Sequence, residues 1–253
     1  MILLLGGTSE TGMIADALLR NGHRVLVSTA TETPLNIPTG PCISHRTGRL
    51  DEEGLFHLLQ ETAVTSVVDA THPYAEQAHR AAYTAAARAG IRCFRWVRPA
   101  TDLTSYSGIL HASSHQEAAR LAAAAGDTIL LTVGSKNLAP YVSEAARRGR
   151  RLIARVLPEP PSLEVCHLAG LPEESVVAAR GPFSVEDNRA ILRRLGADVL
   201  VTKDGGEAGG LPAKLIAAKQ EGCQVVLVTR PLEINSNQVR TVEELLQALQ
   251  SCQ

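Results

Sequence analysis

Aromatic side chains are scarce in this chain, at 3% of its residues. A stacking platform for single-stranded nucleic acid needs several such rings along a basic groove, so that class is excluded. An excess of one charge is missing too. Lys and Arg number 25 against 26 acids, which gives no overall field to attract nucleic acid or an anionic membrane. No apolar run approaches the roughly 20 residues of a membrane span. No basic segment precedes the first apolar run, so no secretory leader is expected and a cytoplasmic location is. The five cysteines (Cys42, Cys93, Cys166, Cys223 and Cys252) include no C-x-x-C pair. That usage suits reduced thiols, neither a disulfide frame nor a zinc site. His111 and His115 stand four apart with no third ligand in view, so no metal is expected. Gly134-Ser135 lacks the following glycine of a nucleophile elbow, which removes support for acyl transfer.

What the chain does have is apolar content, 45% of 253 residues, enough for one large core or two small ones. Short apolar runs recur at Ile2–Leu5, Arg24–Ser28, Ser66–Ala70 and Arg92–Trp96, separated by helical stretches rich in Ala, Leu and Glu. A second series follows at Thr128–Thr132, Arg151–Val156, Ser175–Ala178, Asp198–Thr202 and Gln224–Thr229. Non-alternating runs spaced by helices belong to parallel sheets covered on both faces. Between the series, "RPATDLTSYSGILHASS" shows no helical pattern and reads as the crossing between two α/β halves, with a boundary near Pro99. The expected domains are 1–99 and 100–253, and Val242–Leu249 forms one last amphipathic helix. Its packing partner is left open.

The chain opens on "MILLLGGTSETG", in which a buried strand breaks into glycines and hydroxyls before a helix carrying Ile14, Ala17 and Leu18 at helical spacing. A helix N-terminus offers unpaired N–H groups and partial positive charge, which suit phosphate. Gly6, Gly7 and Gly12 depart from the G-x-G-x-x-G spacing, and a plain strand-to-helix turn is the competing reading. An NAD-specific site presents an acid after the second strand, to bond the ribose 2′-OH. Here that strand ends in Ser28 and Thr29, with no acid before Glu32. This favours NADPH over NADH, with Arg46 or Arg49 as countercharge. After the third strand, "VVDATHPYA" sets His72 and Tyr74 about the rigid Pro73; either is a candidate proton donor, or the segment is a structural turn.

Ligands of open parallel sheets lie beyond the carboxyl ends of the strands. In the second half every such end carries or adjoins a cation: Lys136, Arg155, Arg180, Lys203 and Arg230. Five on one edge suggest a ligand with several negative groups. Pairing with Glu159, Glu186, Asp204 or Glu233 is expected to occupy two of them. The sharpest segment is "VTKDGGEAGGLPAK", where four glycines permit close backbone approach and Lys203 and Lys214 flank the loop.

Taken together, "LLLGGTSETGMIADAL", "VVDATHPYA", "FRWVRP", "LLTVGSKNL", "ARGPFSVEDNRAIL", "DVLVTKDGGEAGGLPAKLIAA" and "VVLVTRP" span nearly the whole chain. In this order they resemble the precorrin-6A reductase family of cobalamin biosynthesis. The resemblance implies an α/β protein of two Rossmann-like domains with parallel sheets and an active site in the cleft between them. It implies NADPH as hydride donor and reduction of one carbon–carbon double bond of a corrin precursor, with or without cobalt. That substrate is a tetrapyrrole bearing many carboxylates. Carried over by position, Gly6, Gly7, Thr8, Ser9, Glu10 and Ser28 bind the cofactor, and Thr71, with His72 and Tyr74, faces the nicotinamide. Ser135, Lys136, Arg155, Arg180, Gly181, Phe183, Lys203, Gly205 and Gly206 face the macrocycle. Many members carry serine where this chain has Gly205. Glu10, awkward beside phosphate, is expected to cap the loop by accepting backbone N–H groups, or to bond a ribose or the nicotinamide amide.

Two other classes compete. A non-enzymatic NADP(H)-sensing regulator has no use for five cations in the second half. A phosphate- or nucleotide-sugar-transfer enzyme needs a pair of acids for Mg²⁺, and none stands at the strand ends.

Overall fold

The computed structural model describes residues 1–32, 35–99, 101–104, 106–206, 209–230 and 237–251. The chain divides into two compact units, Met1–Pro99 with Leu232–Gln253, and Ala100–Pro231.

The first unit alternates β1 (Ile2–Leu5), α1 (Thr11–Arg20), β2 (Val25–Thr29), β3 (Ile43–Thr47), α2 (Glu52–Glu61), β4 (Ser66–Asp69), α3 (Glu76–Arg88) and β5 (Arg92–Trp96). In the second come β6 (Leu110–Ala112), α4 (His115–Ala125), β7 (Thr128–Leu131), α5 (Ala139–Arg148), β8 (Arg151–Val156) and α6 (Pro160–Leu168). It continues through β9 (Val176–Ala178), α7 (Val185–Leu195), β10 (Val199–Lys203), α8 (Leu211–Gln220) and β11 (Gln224–Val228). The chain then ends in β12 (Gln238–Val239) and α9 (Val242–Gln250).

Among the described residues there are two six-stranded sheets, ordered β12-β5-β4-β1-β2-β3 and β6-β11-β10-β7-β8-β9. Every pairing is parallel. The two orders correspond strand for strand except at the outer edge. There β6, which follows β5 in sequence, pairs in the second sheet, and β12, which follows β11, pairs in the first.

Central strands are buried on both faces, which explains their unbroken apolar runs. One face of the first sheet packs Ile2, Leu4 and Val27 against Ile14 and Leu18 of α1 and Leu245 and Leu249 of α9. Helices α2 and α3 cover the other face. Ala81, Ala82, Ala85 and Ala86 of α3 lie against the strands, where small side chains permit close approach.

The expected second domain running to residue 253 is therefore corrected. β12 pairs with β5 in register Gln238↔Arg95, and α9 buries its apolar stripe on the first sheet, so the tail belongs to the first unit. Two further strands differ from expectation. "ISHRT" (β3) is a half-exposed edge strand with a polar pattern, and β6 hides inside the segment read as a crossing.

In each sheet the chain reverses its direction of progress at one point, between β1 and β4 in the first and between β7 and β10 in the second. Loops at such a point diverge and leave a crevice.

Candidate active site

The reversal in the first sheet brings together the loop after β1, Gly6–Glu10, and the loop after β4, Ala70–Ala75. The two are tied directly, since Thr8 Oγ1 donates to Ala70 O (3.0 Å). The Thr11 hydroxyl, fully buried at the start of α1, accepts from the N–H groups of Gly7 (3.1 Å) and Thr8 (3.2 Å). A Cβ on Gly6 would meet Thr11 Cγ2 at 2.4 Å, so the strand can turn this tightly only with glycine. Gly7, at φ +109°, sits in the region glycine favours. Gly12 has a different use: its Cβ would lie 2.1 Å from Asn36 O, so it admits the neighbouring backbone. Thr8 is buried and spends its hydroxyl on Ala70, so it holds the loop from within. The N–H groups of Ser9 and Glu10, in contrast, have no partner among the described residues.

Glu10 does not cap the loop. As the N-cap residue of α1 it makes no side-chain cap hydrogen bond. Its carboxylate is gripped by Arg98, with Nε to Oε1 and Nη2 to Oε2 both 2.5 Å, and accepts from Ser9 Oγ (2.9 Å). A two-point guanidinium fork outcompetes backbone N–H groups for a carboxylate and neutralises it beside the loop.

The ends of β2 and β3 lie side by side, Ser28 in register with Arg46. Arg46 Nη1 donates to Ser28 Oγ (2.7 Å) and to Gly48 O (3.1 Å). Arg49 is exposed. Of the two arginines expected as countercharge, Arg46 stands against the serine. A glycine turn into a helix, two unpartnered N–H groups and a cation beside Ser28 fit a phosphorylated dinucleotide.

His72 is exposed and Tyr74 partly buried, with ring centroids 5.8 Å apart; the Tyr74 N–H donates to His72 Nδ1 (3.3 Å). Behind this loop is a cluster of Asp69, Thr71, His79 and Arg95, of which sequence reasoning named only Thr71. Asp69 Oδ1 accepts from the N–H (3.0 Å) and hydroxyl (2.7 Å) of Thr71 and lies 3.3 Å from Arg95 Nη1. Asp69 Oδ2 meets His79 Nδ1 at 2.8 Å. Burial alone raises the Asp69 pKa, but the His79 hydrogen bond, the Arg95 charge and Thr71 together hold it below the usual carboxylate range. The available signal was a charged residue inside each of two buried strands, Asp69 and Arg95. Such residues are rarely buried unless paired.

At the second reversal, the loop after β7 carries Ser135 and an exposed Lys136, and β10 ends in Lys203 followed by Asp204, Gly205 and Gly206. Arg155, on β8, is 7% exposed; its guanidinium stacks 4.1 Å from the Phe183 ring centroid and donates to Asn188 Oδ1 (3.0 Å). Gly181 adjoins the same ring, a Cβ there falling 3.1 Å from Phe183. Two cations of the expected five pair with acids: Arg180 with Glu159 (2.7 Å) and Arg230 with Asp204 (3.1 Å). Glu233, and positions 207 and 208 of the glycine segment, lie outside the described residues. A Cβ at Gly205 would come 3.1 Å from Gly209 Cα, so glycine here admits the close approach of Gly209.

Burial and positive charge lower three pKa values along this edge. Burial, then the charge of Lys136, lowers the Lys203 pKa to about 8. Burial, then Arg155 and Lys203, lowers Lys214 to about 8. His115 drops to about 4 through burial and Lys203, and its Nδ1 is engaged by the Tyr141 hydroxyl (2.8 Å).

A family model described as "Precorrin-6x reductase CbiJ/CobK" matches residues 1–250. The chain belongs to this family. Its members are reductases of cobalamin biosynthesis acting on a carbon–carbon double bond. The chain is 34% identical over 250 residues to the cobalt-precorrin-6A reductase of Priestia megaterium, covering 98% of both chains. It is 34% identical over 232 residues to the precorrin-6A reductase of Rhodococcus erythropolis, covering 91% of this chain and 89% of the relative. A solved structure of "CobK precorrin-6A reductase" is similar over 99% of this chain and 96% of that one, with a TM-score of 0.79 at 28% identity. The family implies a nicotinamide cofactor and a tetrapyrrole substrate. Among the described residues, no helix is long and apolar enough to cross a membrane.

Proposed function

We propose that this chain reduces one carbon–carbon double bond of precorrin-6A, or of its cobalt-containing form, with NADPH as reductant. The observation that carries the reading is the edge formed by Lys136, Arg155, Lys203 and Lys214. Burial and neighbouring positive charge lower the pKa values of Lys203 and Lys214, and such a cluster of cations attracts a ligand with several carboxylates, which a corrin precursor has. In the first unit, Ser9 and Glu10 offer backbone N–H groups to the cofactor's phosphates, and Ser28 with Arg46 receives its 2′-phosphate.

NADPH supplies a hydride to one carbon of the double bond and leaves as NADP⁺; a proton must reach the neighbouring carbon. His72 and Tyr74 are the proposed protein sources of that proton. Nδ1 of His72 accepts from the Tyr74 N–H, which leaves Nε2 as the ring atom through which a proton would pass. Phe183, braced by Arg155, presents a ring beside the cations for the macrocycle to rest against.

The test is NADPH oxidation measured with the metal-free and the cobalt-containing precursor in turn. Oxidation that requires one of these tetrapyrroles is the expected result. Tight NADPH binding with no turnover on either would overturn the reading in favour of a sensor.

A further inference from the structure

The reduction uses neither of two charges buried in the first unit, Asp69 at 2% exposure and Arg95 at 3%. Charges so deep are costly unless every partner is supplied. Here the partners are supplied in a pattern that bears on one loop.

Arg95 lies on β5, next to β4. Its Nη1 donates to the carbonyls of Asp69 (3.0 Å) and Thr71 (3.2 Å), the residues where the strand becomes the His72–Tyr74 loop. Its Nη2 reaches His79 Nε2 at 3.0 Å. A guanidinium only donates, so that nitrogen must accept. The neutral imidazole then carries its proton on Nδ1, which donates to Asp69 Oδ2 (2.8 Å). The longer approach of Nε2 to Pro73 O (3.4 Å) holds no proton in this arrangement. Each member fixes the next: Arg95 sets the His79 tautomer, His79 orients Asp69, and Asp69 receives both donors of Thr71. The other end of the loop is closed by Ala75 N–H on His72 O (2.8 Å). The same loop is fastened to the glycine turn through Thr8 and Ala70.

We propose that Asp69, His79 and Arg95 are positioning residues that lock the Thr71–Ala75 loop, and with it His72 and Tyr74, in register with the glycine turn. His79 is thereby excluded as the proton donor despite lying one turn behind the loop. The positioning role rests on the function proposed above; the tautomer does not.

Two measurements separate the two. In the wild-type chain without substrate at pH 8, ¹⁵N shifts of the imidazoles should show His79 as the Nδ1–H form, against the Nε2–H form usual for free histidine. An Nε2–H signal for His79 overturns the network whatever the enzyme does. In turnover, His79→Ala should lower kcat by ~10-fold or more, because small misplacements of reacting groups are costly. The NADPH dissociation constant should stay within about twofold of wild type, as expected of a displacement confined to the loop. His79→Asn, which keeps a donor near the Nδ1 position, should recover most of kcat. Unchanged kcat in His79→Ala overturns the positioning role, as does a loss of kcat matched by an equal loss of NADPH affinity. Should the alanine variant fail to fold, His79→Asn with near-wild-type kcat supports the role and His79→Asn with kcat as low as His72→Ala overturns it.

Discussion

The two units share one topology yet treat charge at their strand ends in opposite ways. In the first, the acids near the crevice are answered within the unit: Glu10 by Arg98, and Asp69 by Arg95 and His79. In the second, partial burial and then like charge depress two half-buried lysines, Lys203 through Lys136 and Lys214 through Arg155 and Lys203. Where the acids are paired internally, the backbone N–H groups of the glycine turn and the single cation Arg46 are left for the proposed dinucleotide. An edge where several cations face one another favours a ligand with several negative groups. The proposed division of labour between the halves thus rests on how charge is arranged at the strand ends, with the fold held constant.

The largest expected effect breaks the comparison at its strongest point. Asp69→Asn keeps the shape but strands Arg95 in a site 3% exposed, and should lower stability to urea by about 3–5 kcal/mol. Lys214→Met removes a cation burdened by burial and by its neighbours, and should leave stability within about 0.5 kcal/mol or raise it. Equal losses in the two variants would erase the distinction between the paired charges of the first unit and the clustered cations of the second.

Next in size is proton delivery. If the protein supplies the proton, His72→Ala or Tyr74→Phe should reduce kcat by at least ~10²-fold, the lower end of general acid help. Both variants within about threefold of wild type would assign the proton to solvent and leave the first unit's loop a purely structural lock.

Much of this was legible in the sequence, and the failures share a cause. Parallel strands buried on both faces announce themselves as apolar runs, so β1, β2, β4, β5, β7, β8, β10 and β11 were readable within a residue or two. Edge strands face water, so "ISHRT" reads as loop, and the two-residue β12 carries no periodicity at all. Helix α9 was visible as a helix, but amphipathicity says only that a face is buried, not on which sheet. The strand-end motifs marked both crevices. The network behind His72 was missed because its members come from β4, α3 and β5, and only tertiary packing brings Asp69, His79 and Arg95 together. The capping alternative for Glu10 failed for the same reason: its partner, Arg98, lies 88 residues away.

A pH titration sharpens the comparison at moderate size. With pKa values near 8 in the ligand-free chain, Lys203 and Lys214 lose their charge as pH rises from 7 to 9. A carboxylate ligand binds the charged forms, so tetrapyrrole binding takes up protons above pH 8 and should weaken by ~10-fold per lysine at pH 9. The folded pKa values lie below the unfolded value of about 10.4, so without ligand these lysines disfavour folding below pH 8, and that cost is relieved between pH 8 and about 10.4. Isothermal titration with a tetrapyrrole at pH 7 and 9, and with NADPH as the contrast, reads both halves. A flat tetrapyrrole profile would place the two lysines outside the ligand's reach.

The smallest effect concerns which nicotinamide nucleotide the first unit prefers. After β2 an NAD site offers a carboxylate to the ribose 2′-OH, which would repel a 2′-phosphate. This chain has Ser28 there, in register with Arg46 and 2.7 Å from its guanidinium, and the next acid is Glu32. A 2′-phosphate adds a charge-assisted bond that a hydroxyl cannot match. We expect NADPH to bind at least tenfold more tightly than NADH, about 1.4 kcal/mol. Arg46→Ala should remove most of that difference by weakening NADPH alone, and Arg49→Ala, on an exposed side chain, should not. Ser28→Asp should turn the preference towards NADH, since it restores the carboxylate and sets it against any 2′-phosphate. Added salt should shrink the wild-type preference, because the Arg46 contact is only half-buried. Equal affinities in the wild-type chain would mean that the Arg46–Ser28 contact is structural, one more internally answered charge on an edge that recognises the dinucleotide through its backbone alone.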